Sequence, residues 1–347
     1  MTVQLDARPP VVPAPQRTPG RFSRLDTRLS PYLYIAPFFL LFAVFGVYPL
    51  AYTFWVSLHD WDLLGVDHPF VGADNYTRLL ADADFWHALV NTLGIFVIST
   101  VPQLLAALWL ANLLNRGLRA RTGWRMAVLV PNVTSTAAVA IVFGVIFGRE
   151  FGMINWLLDL VGVDAIGWKS NRFASWVAIS AMVDWRWTGY NALILLAAMQ
   201  AIPRDLYESA SIDGANRARQ FWSITVPLLK PTIIFCAIIA TIGGLQLFTE
   251  PRLFHSGTNP IRGGPMRESQ TLTMYMFENA FAPHYNFGYG SAVAWLLFAL
   301  IAIVAAVNVL LLRRLGGSER PTKGTSGAER PRKGTSGAER PQKGTAR

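Results

Sequence analysis

Cysteine is nearly missing and charge is scarce. The one cysteine, Cys236, lies inside an apolar run. That excludes a disulfide framework and a cysteine-based metal site within one chain. Charged residues make up only 15% of the sequence, where a soluble domain carries about 25%. The five histidines (His59, His68, His87, His255 and His284) are scattered, and no His-Glu-x-x-His or paired-carboxylate arrangement appears. A membrane-embedded hydrolytic centre therefore has no visible residues. No Gly-x-x-x-x-Gly-Lys-Ser/Thr loop is present, so the chain cannot cradle nucleotide phosphates in that way. The formal net charge of +10 suits the basic loops of a membrane protein better than a nucleic-acid surface.

Six long apolar runs occupy about 33–57, 88–114, 124–148, 173–199, 225–249 and 290–312. Each has the roughly 20 residues a helix needs to cross a hydrocarbon core. Backbone polar groups cannot stay unpaired there, so each run is expected to be a helix. The strand-length alternation of a β-barrel is not seen. The expected fold is an all-α polytopic membrane protein with six transmembrane helices, placed in a bacterial plasma membrane. Residues 1–30 are broken by Pro9, Pro10, Pro13, Pro15 and Pro19 and read as a disordered tail with no cleavable signal peptide. Residues 31–315 form the membrane domain. From 316 to 347 a decapeptide of the form Ser-Gly-Ala-Glu-Arg-Pro-Arg-Lys-Gly-Thr repeats, a composition that cannot bury a core. Its basic residues could touch anionic lipid. Arg and Lys gather in both tails, in the loop after the second run (Arg116, Arg119, Arg121, Arg125) and in the loop after the fourth (Arg204, Arg217, Arg219, Lys230). These segments are expected to face the cytoplasm. The loop after the first run is acidic, with Asp60, Asp62, Asp67, Asp74, Asp82 and Asp84.

Between the fourth and fifth runs lies Ile202-Pro203-Arg204-Asp205-Leu206-Tyr207-Glu208-Ser209-Ala210-Ser211-Ile212-Asp213-Gly214-Ala215. Pro203 suits a first helical turn. Asp205 with Glu208 has the spacing of a capping box. Ser209, Ala210 and Ala215 are small enough for close approach, and Gly214 can end the helix in a left-handed cap. The segment is too polar to insert and too compact to be slack. It reads either as a docking knuckle or as an ordinary interfacial connector.

The letters of this segment favour the docking knuckle through a resemblance. Glu208-Ser209-Ala210, Asp213-Gly214-Ala215, then Phe221, Ile224, Pro227 and Pro231 closely resemble the EAA motif of ABC importer permeases; Ser209 replaces the usual first alanine. Trp187-Thr188-Gly189-Tyr190-Asn191, Leu196–Pro203, Gly152-Met153-Ile154-Asn155, Gly263-Gly264-Pro265, Leu272–Phe281 and Phe287-Gly288-Tyr289-Gly290 are similar to the carbohydrate-uptake branch, the MalF/UgpA-like permeases, over roughly 30–313. The resemblance implies a permease subunit with an EAA loop at about 203–231, both termini cytoplasmic. Residues Glu208, Ser209, Ala210, Asp213, Gly214 and Ala215 would then dock on an ATPase. It implies no cofactor on this chain and no catalytic or metal-binding residue, with ATP and Mg held by the partner. The implied partners are a second permease, two copies of an ATP-binding subunit and an extracytoplasmic binding protein that delivers a sugar.

In the fourth run, Asp184 and Arg186 sit where charge is costly and normally faces a bundle interior or a wet cavity. Asp184, Trp187, Thr188 and Asn191 share a helical face, and Tyr190 lies beside them. Aromatic faces with amide and carboxylate partners suit a sugar. These residues, with Gln246 and more weakly Thr249 of the fifth run, are the candidate solute path; the alternative is a structural network with other helices. Trp55, His59 and Trp61 read as an interfacial belt. A competing function is an ion-gradient-driven secondary transporter using Asp184, although no inverted repeat is evident. Resemblance near 246–254 and 270–281 leans toward an oligosaccharide, with a β-glucoside such as cellobiose as the example.

Overall fold

The structure, a computed structural model, describes residues 21–315 apart from 63–64, 117–118, 258 and 282–284. The tail up to residue 20 and the repeats from 316 lie outside the described residues. The helices in chain order are α1 (Arg21–Phe42), α2 (Tyr48–Ser57), α3 (Asp74–Ala81), α4 (Ala83–Leu114), α5 (Arg121–Val133), α6 (Thr136–Ile146) and α7 (Met153–Asp159). After them come α8 (Arg172–Gln200), α9 (Arg204–Ile212), α10 (Arg217–Gln220), α11 (Val226–Leu245), α12 (Thr249–Phe254), α13 (Leu272–Phe281) and α14 (Phe287–Leu315). The only pairing of β type among the described residues is two isolated bridges, His59 with Phe70 and Asp62 with Asn286. The first helix begins at Arg21, so residues 21–30 are helical and not part of a disordered tail.

Prolines shape the long helices. π-helical turns at Ala43–Val47 and Phe221–Thr225 stand just before Pro49 and Pro227. A proline ring clashes with the carbonyl four residues back, and widening the turn relieves that clash. The run expected as one span over 124–148 is instead two helices, α5 and α6, bent by 89°. Pro131 lies in the last turn of α5, and Thr134 and Ser135 are extended at ψ 141° and 129°. Four stretches are long and apolar enough to cross a bilayer: Tyr32–Ser57, Ala83–Leu114, Arg217–Leu245 and Phe287–Leu311. The bent pair makes at most a fifth. The expected count of six is therefore not reached on length and composition. Helix α8, with 29 residues, is long enough at about 43 Å but carries Asp184 and Arg186.

At the heart of the bundle α8 lies along α4 in parallel, and α11 packs against both. At one end, Ala107, Leu108 and Ala111 of α4 meet Ala192, Leu195 and Met199 of α8 and Leu229 and Cys236 of α11. At the other, Phe85 and Phe96 meet Leu245, Tyr275, Ala292 and Leu297. Polar side chains cross between helices: Ser180 Oγ donates to the Ile95 carbonyl at 3.3 Å, and Asn308 Nδ2 to Thr241 Oγ1 at 2.8 Å. Gly189 lets α5 touch α8, since a Cβ there would lie 1.7 Å from the Val128 carbonyl oxygen. Asn155 of α7 organises its loop, donating to the Arg149 and Ile166 carbonyls at 2.9 Å each and accepting from Trp168 Nε1 at 2.8 Å. The apolar stretch Tyr32–Ser57 differs from the rest: none of its most apolar window is buried within the chain. Tyr34 is 84% exposed and Phe45 76%.

Candidate functional site: an exposed knuckle and a polar cavity

Helix α9 begins two residues earlier than a cap at Asp205 requires. Its N-cap is Pro203, with no side-chain capping bond, so the expected Asp205–Glu208 capping box does not form. Asp205 falls inside the first turn, where its charge suits the helix dipole. The far end has a complete two-bond cap. Gly214 is left-handed at φ +80°; its N–H reaches the Ser211 carbonyl at 3.1 Å, and the Ala215 N–H reaches that of Ala210 at 2.8 Å. These two bonds satisfy carbonyls that the helix end leaves open.

The knuckle is fixed to the helix that follows it. Gln220 Nε2 donates to Ser211 Oγ at 2.8 Å and to the Ala215 carbonyl at 3.0 Å. Asn216 Oδ1 caps α10 at the Arg219 N–H, 2.9 Å away. The hydroxyls of Tyr207 and Thr225 lie 2.9 Å apart. Side-chain bonds as well as the chain thus tie α9 to α10 and to the π-helical turn that leads into α11. Glu208, Ser209, Asp213 and Gly214 are exposed, and Ala210 and Ala215 are half-buried. Ile212 is 87% exposed. The knuckle thus presents to solvent a bare isoleucine and the carboxylates of Asp205, Glu208 and Asp213.

A cavity of about 370 Å³ lies between α4, α8 and the broken end of α11. Polar groups from three segments converge on it: Ser99, Thr100 and Gln103; Asn191; and Gln246, Thr249 and Glu250. Trp187 and Phe248 supply aromatic faces. Helix α11 stops at Leu245, and α12 restarts at Thr249, which brings Glu250 against α8. There Arg186 Nη1 meets Glu250 Oε1 at 2.7 Å, with both side chains nearly buried.

Of the candidate path residues, Trp187, Asn191 and Gln246 line the cavity; Asp184, Thr188 and Tyr190 do not. The lining face of α8 runs through Val183, Trp187 and Asn191, so its centre lies about 60° round the helix from Asp184. Asp184 Oδ1 and Arg186 Nε are buried without a hydrogen-bond partner among the described residues. Thr249, weakly indicated by sequence, does line the cavity. Sequence reasoning missed Glu250, Phe248 and the α4 residues. A carboxylate just past a long apolar run, opposite a lone intramembrane arginine, was the available signal for Glu250.

The opposite end of the bundle from α9 is closed by an ion-pair network. Glu278 of α13, with a side chain only 3% exposed, receives Arg267 Nη1 at 2.6 Å, Arg262 Nε at 2.7 Å and Gln270 Nε2 at 2.6 Å. Burial alone would raise its pKa; the Arg267 and Gln270 hydrogen bonds and the two guanidinium charges outweigh that and hold it below the usual carboxylate value. Arg267 also reaches Asp84 at 3.0 Å. Asn91 of α4 ties in the same loop, donating to the Arg267 and Gln270 carbonyls at 2.9 and 3.0 Å. Trp55, His59 and Trp61 form an aromatic cluster here, with Trp55 and His59 rings 4.0 Å apart and Trp55 and Trp61 rings 5.6 Å apart. His59 is buried, which an interfacial belt alone does not require.

A multi-pass helical bundle with a polar cavity inside it, and a rigid bare knuckle at one end, has the anatomy of the membrane subunit of a transporter. Residues 103–317 match the family of binding-protein-dependent transport system inner membrane components, and the chain belongs to that family. It is 34% identical over 294 residues to the sulfoquinovosyl glycerol transport system permease protein SmoG of Agrobacterium fabrum, covering 84% of this chain and 93% of that one. It is 36% identical over 280 residues to the lactose transport system permease protein LacF of Rhizobium radiobacter, covering 80% and 92%. The fold is shared with a chain of the bacterial alginate ABC transporter solved with its alginate-bound periplasmic protein, at TM-score 0.70 and 20% identity over 86% and 99% of the two chains. The protein is an inner-membrane, multi-pass permease.

Proposed function

We propose that this chain is one permease subunit of an ATP-driven importer, forming half of the path for a sugar or oligosaccharide that an extracytoplasmic binding protein delivers. ATP is hydrolysed, with Mg, on two copies of a separate subunit, and α9 carries the resulting motion into the bundle. The observation that carries this reading is α9 itself. It is exposed, capped at Gly214, fastened through Gln220 and Tyr207 to α10 and to the π-helical turn before α11, and lies within the matched family region. The uncovered stretch Tyr32–Ser57 supports a second permease, because an apolar helix with no packing of its own is normally covered by lipid or protein.

Relatives are named for a sulfonated sugar and for a neutral one, which supports carbohydrate as the class and leaves its charge open. Glu208 is the expected partner of a basic group on the ATPase. The test is reconstitution in proteoliposomes with the other subunits and the binding protein. Uptake should require ATP and stop on Glu208→Ala, with the subunit still inserted. Uptake driven by an ion gradient without ATP would instead favour the second reading, a secondary transporter, for which the unpartnered Asp184 Oδ1 is the supporting observation.

A further inference from the structure

We infer that this half of the path selects neutral sugars over acidic ones, and that the Arg186–Glu250 pair is the device that sets the selection. The inference rests on reading the cavity as solute path. Apart from Glu250, every polar lining residue is an uncharged amide or hydroxyl, among them Gln103, Asn191, Gln246 and Thr249. These groups donate to and accept from sugar hydroxyls, and Trp187 offers a ring face for C–H stacking. None of the described lining residues is a cation. The guanidinium of Arg186, on the same helix as Trp187 and Asn191, is held by Glu250 at 2.7 Å. Its side chain is 12% exposed and that of Glu250 10%, so the two charges cancel where water is scarce.

A carboxylate or sulfonate entering such a space sheds its hydration and finds no positive partner, which is strongly unfavourable. A neutral hydroxylated ring loses only hydrogen bonds that the amides replace. Glu250 therefore acts as a specificity-determining residue, because it withdraws the arginine that an acidic sugar would need.

The experiment measures equilibrium binding to the complete transporter in nanodiscs without its binding protein, so that the cavity alone chooses. The probes are lactose, cellobiose, maltose and trehalose, and each of these with one CH2OH oxidised to a carboxylate. For the wild type, the best neutral probe should bind at least tenfold more tightly than its carboxylate counterpart. Glu250→Gln frees Arg186 and should bring the two within about threefold or invert them. The double variant Glu250→Gln/Arg186→Gln should reject the carboxylate again. Gln246→Arg adds a cation without touching the pair, and it should admit the carboxylates even if Glu250→Gln fails to assemble. Carboxylates binding the wild type as well as their neutral parents would overturn the inference and leave the permease reading intact. So would an unchanged preference in both Glu250→Gln and Gln246→Arg. Binding of neither class to the wild type, in a transporter that still hydrolyses ATP with its binding protein, would overturn the reading of the cavity and the inference with it.

Discussion

Gly214 gives the sharpest handle on the knuckle, because its backbone and steric roles can be separated. At φ +80° an alanine is strained by roughly 1–2 kcal/mol, enough to shift a local equilibrium by about 5- to 30-fold. Asparagine tolerates the left-handed region and removes most of that strain. A Cβ at 214 meets nothing within 4 Å among the described residues. A large cost that persists in Gly214→Asn therefore points to contact with another chain. Docking on a partner predicts that Gly214→Ala, Gly214→Asn and Gly214→Asp each lower ATP-dependent uptake in proteoliposomes by more than tenfold, with normal membrane insertion. If Gly214→Asn transports at the wild-type rate while Gly214→Ala does not, only the cap geometry matters and the surface is not a close contact. If all three transport normally, the docking assignment is wrong.

Three further outcomes are expected. Gly189→Ala forces α5 away from α8, since its Cβ would fall 1.7 Å from the Val128 carbonyl; overpacking of this kind costs about 1–3 kcal/mol, visible as a lowered unfolding temperature in detergent. Asn308→Ala removes the bond to Thr241 and should cost only about 0.6 kcal/mol, at most about 1.7, by the same measurement. Glu278 has a folded pKa below its unfolded value of 4.5. Its ion pairs thus add stability that is fully present above that value and is lost as pH falls through the lowered folded pKa. Hydrogen exchange in 262–281, corrected for intrinsic rates, should be flat from pH 7 to 5 and accelerate below about 4.5. Glu278→Gln should exchange fast at every pH.

Much of the bundle was legible because apolar runs of bilayer length leave the backbone no alternative to helix. Helices α4, α11 and α14 and the Tyr32–Ser57 stretch follow those runs. The cap at Gly214 was legible too, since it is a local matter of φ. The bend between α5 and α6 was not, because composition averages over Pro131 while the break depends on the extended backbone at Thr134 and Ser135. Periodicity grouped Asp184 with Trp187, Thr188 and Asn191, whereas the lining face is Val183, Trp187 and Asn191. Helical spacing defines faces but not which of them looks inward; packing of α8 on α4 sets that phase. Glu250 stayed hidden for a related reason. Its partner is 64 residues away in sequence, and only the break after Leu245 turns it toward α8.

The coupling proposed for α9 requires that it bear on a separate ATP-hydrolysing subunit. Cys236 is the chain's one cysteine and is buried, so Ser209→Cys supplies a single reactive, exposed thiol on α9 with little background. In the assembled transporter, a bifunctional thiol–amine reagent at that position should link the permease to the ATP-binding subunit, with a yield that changes when ATP is bound. Labelling of the same thiol in intact cells by a membrane-impermeant reagent from outside, with no cross-link to any nucleotide-binding chain, would contradict the account.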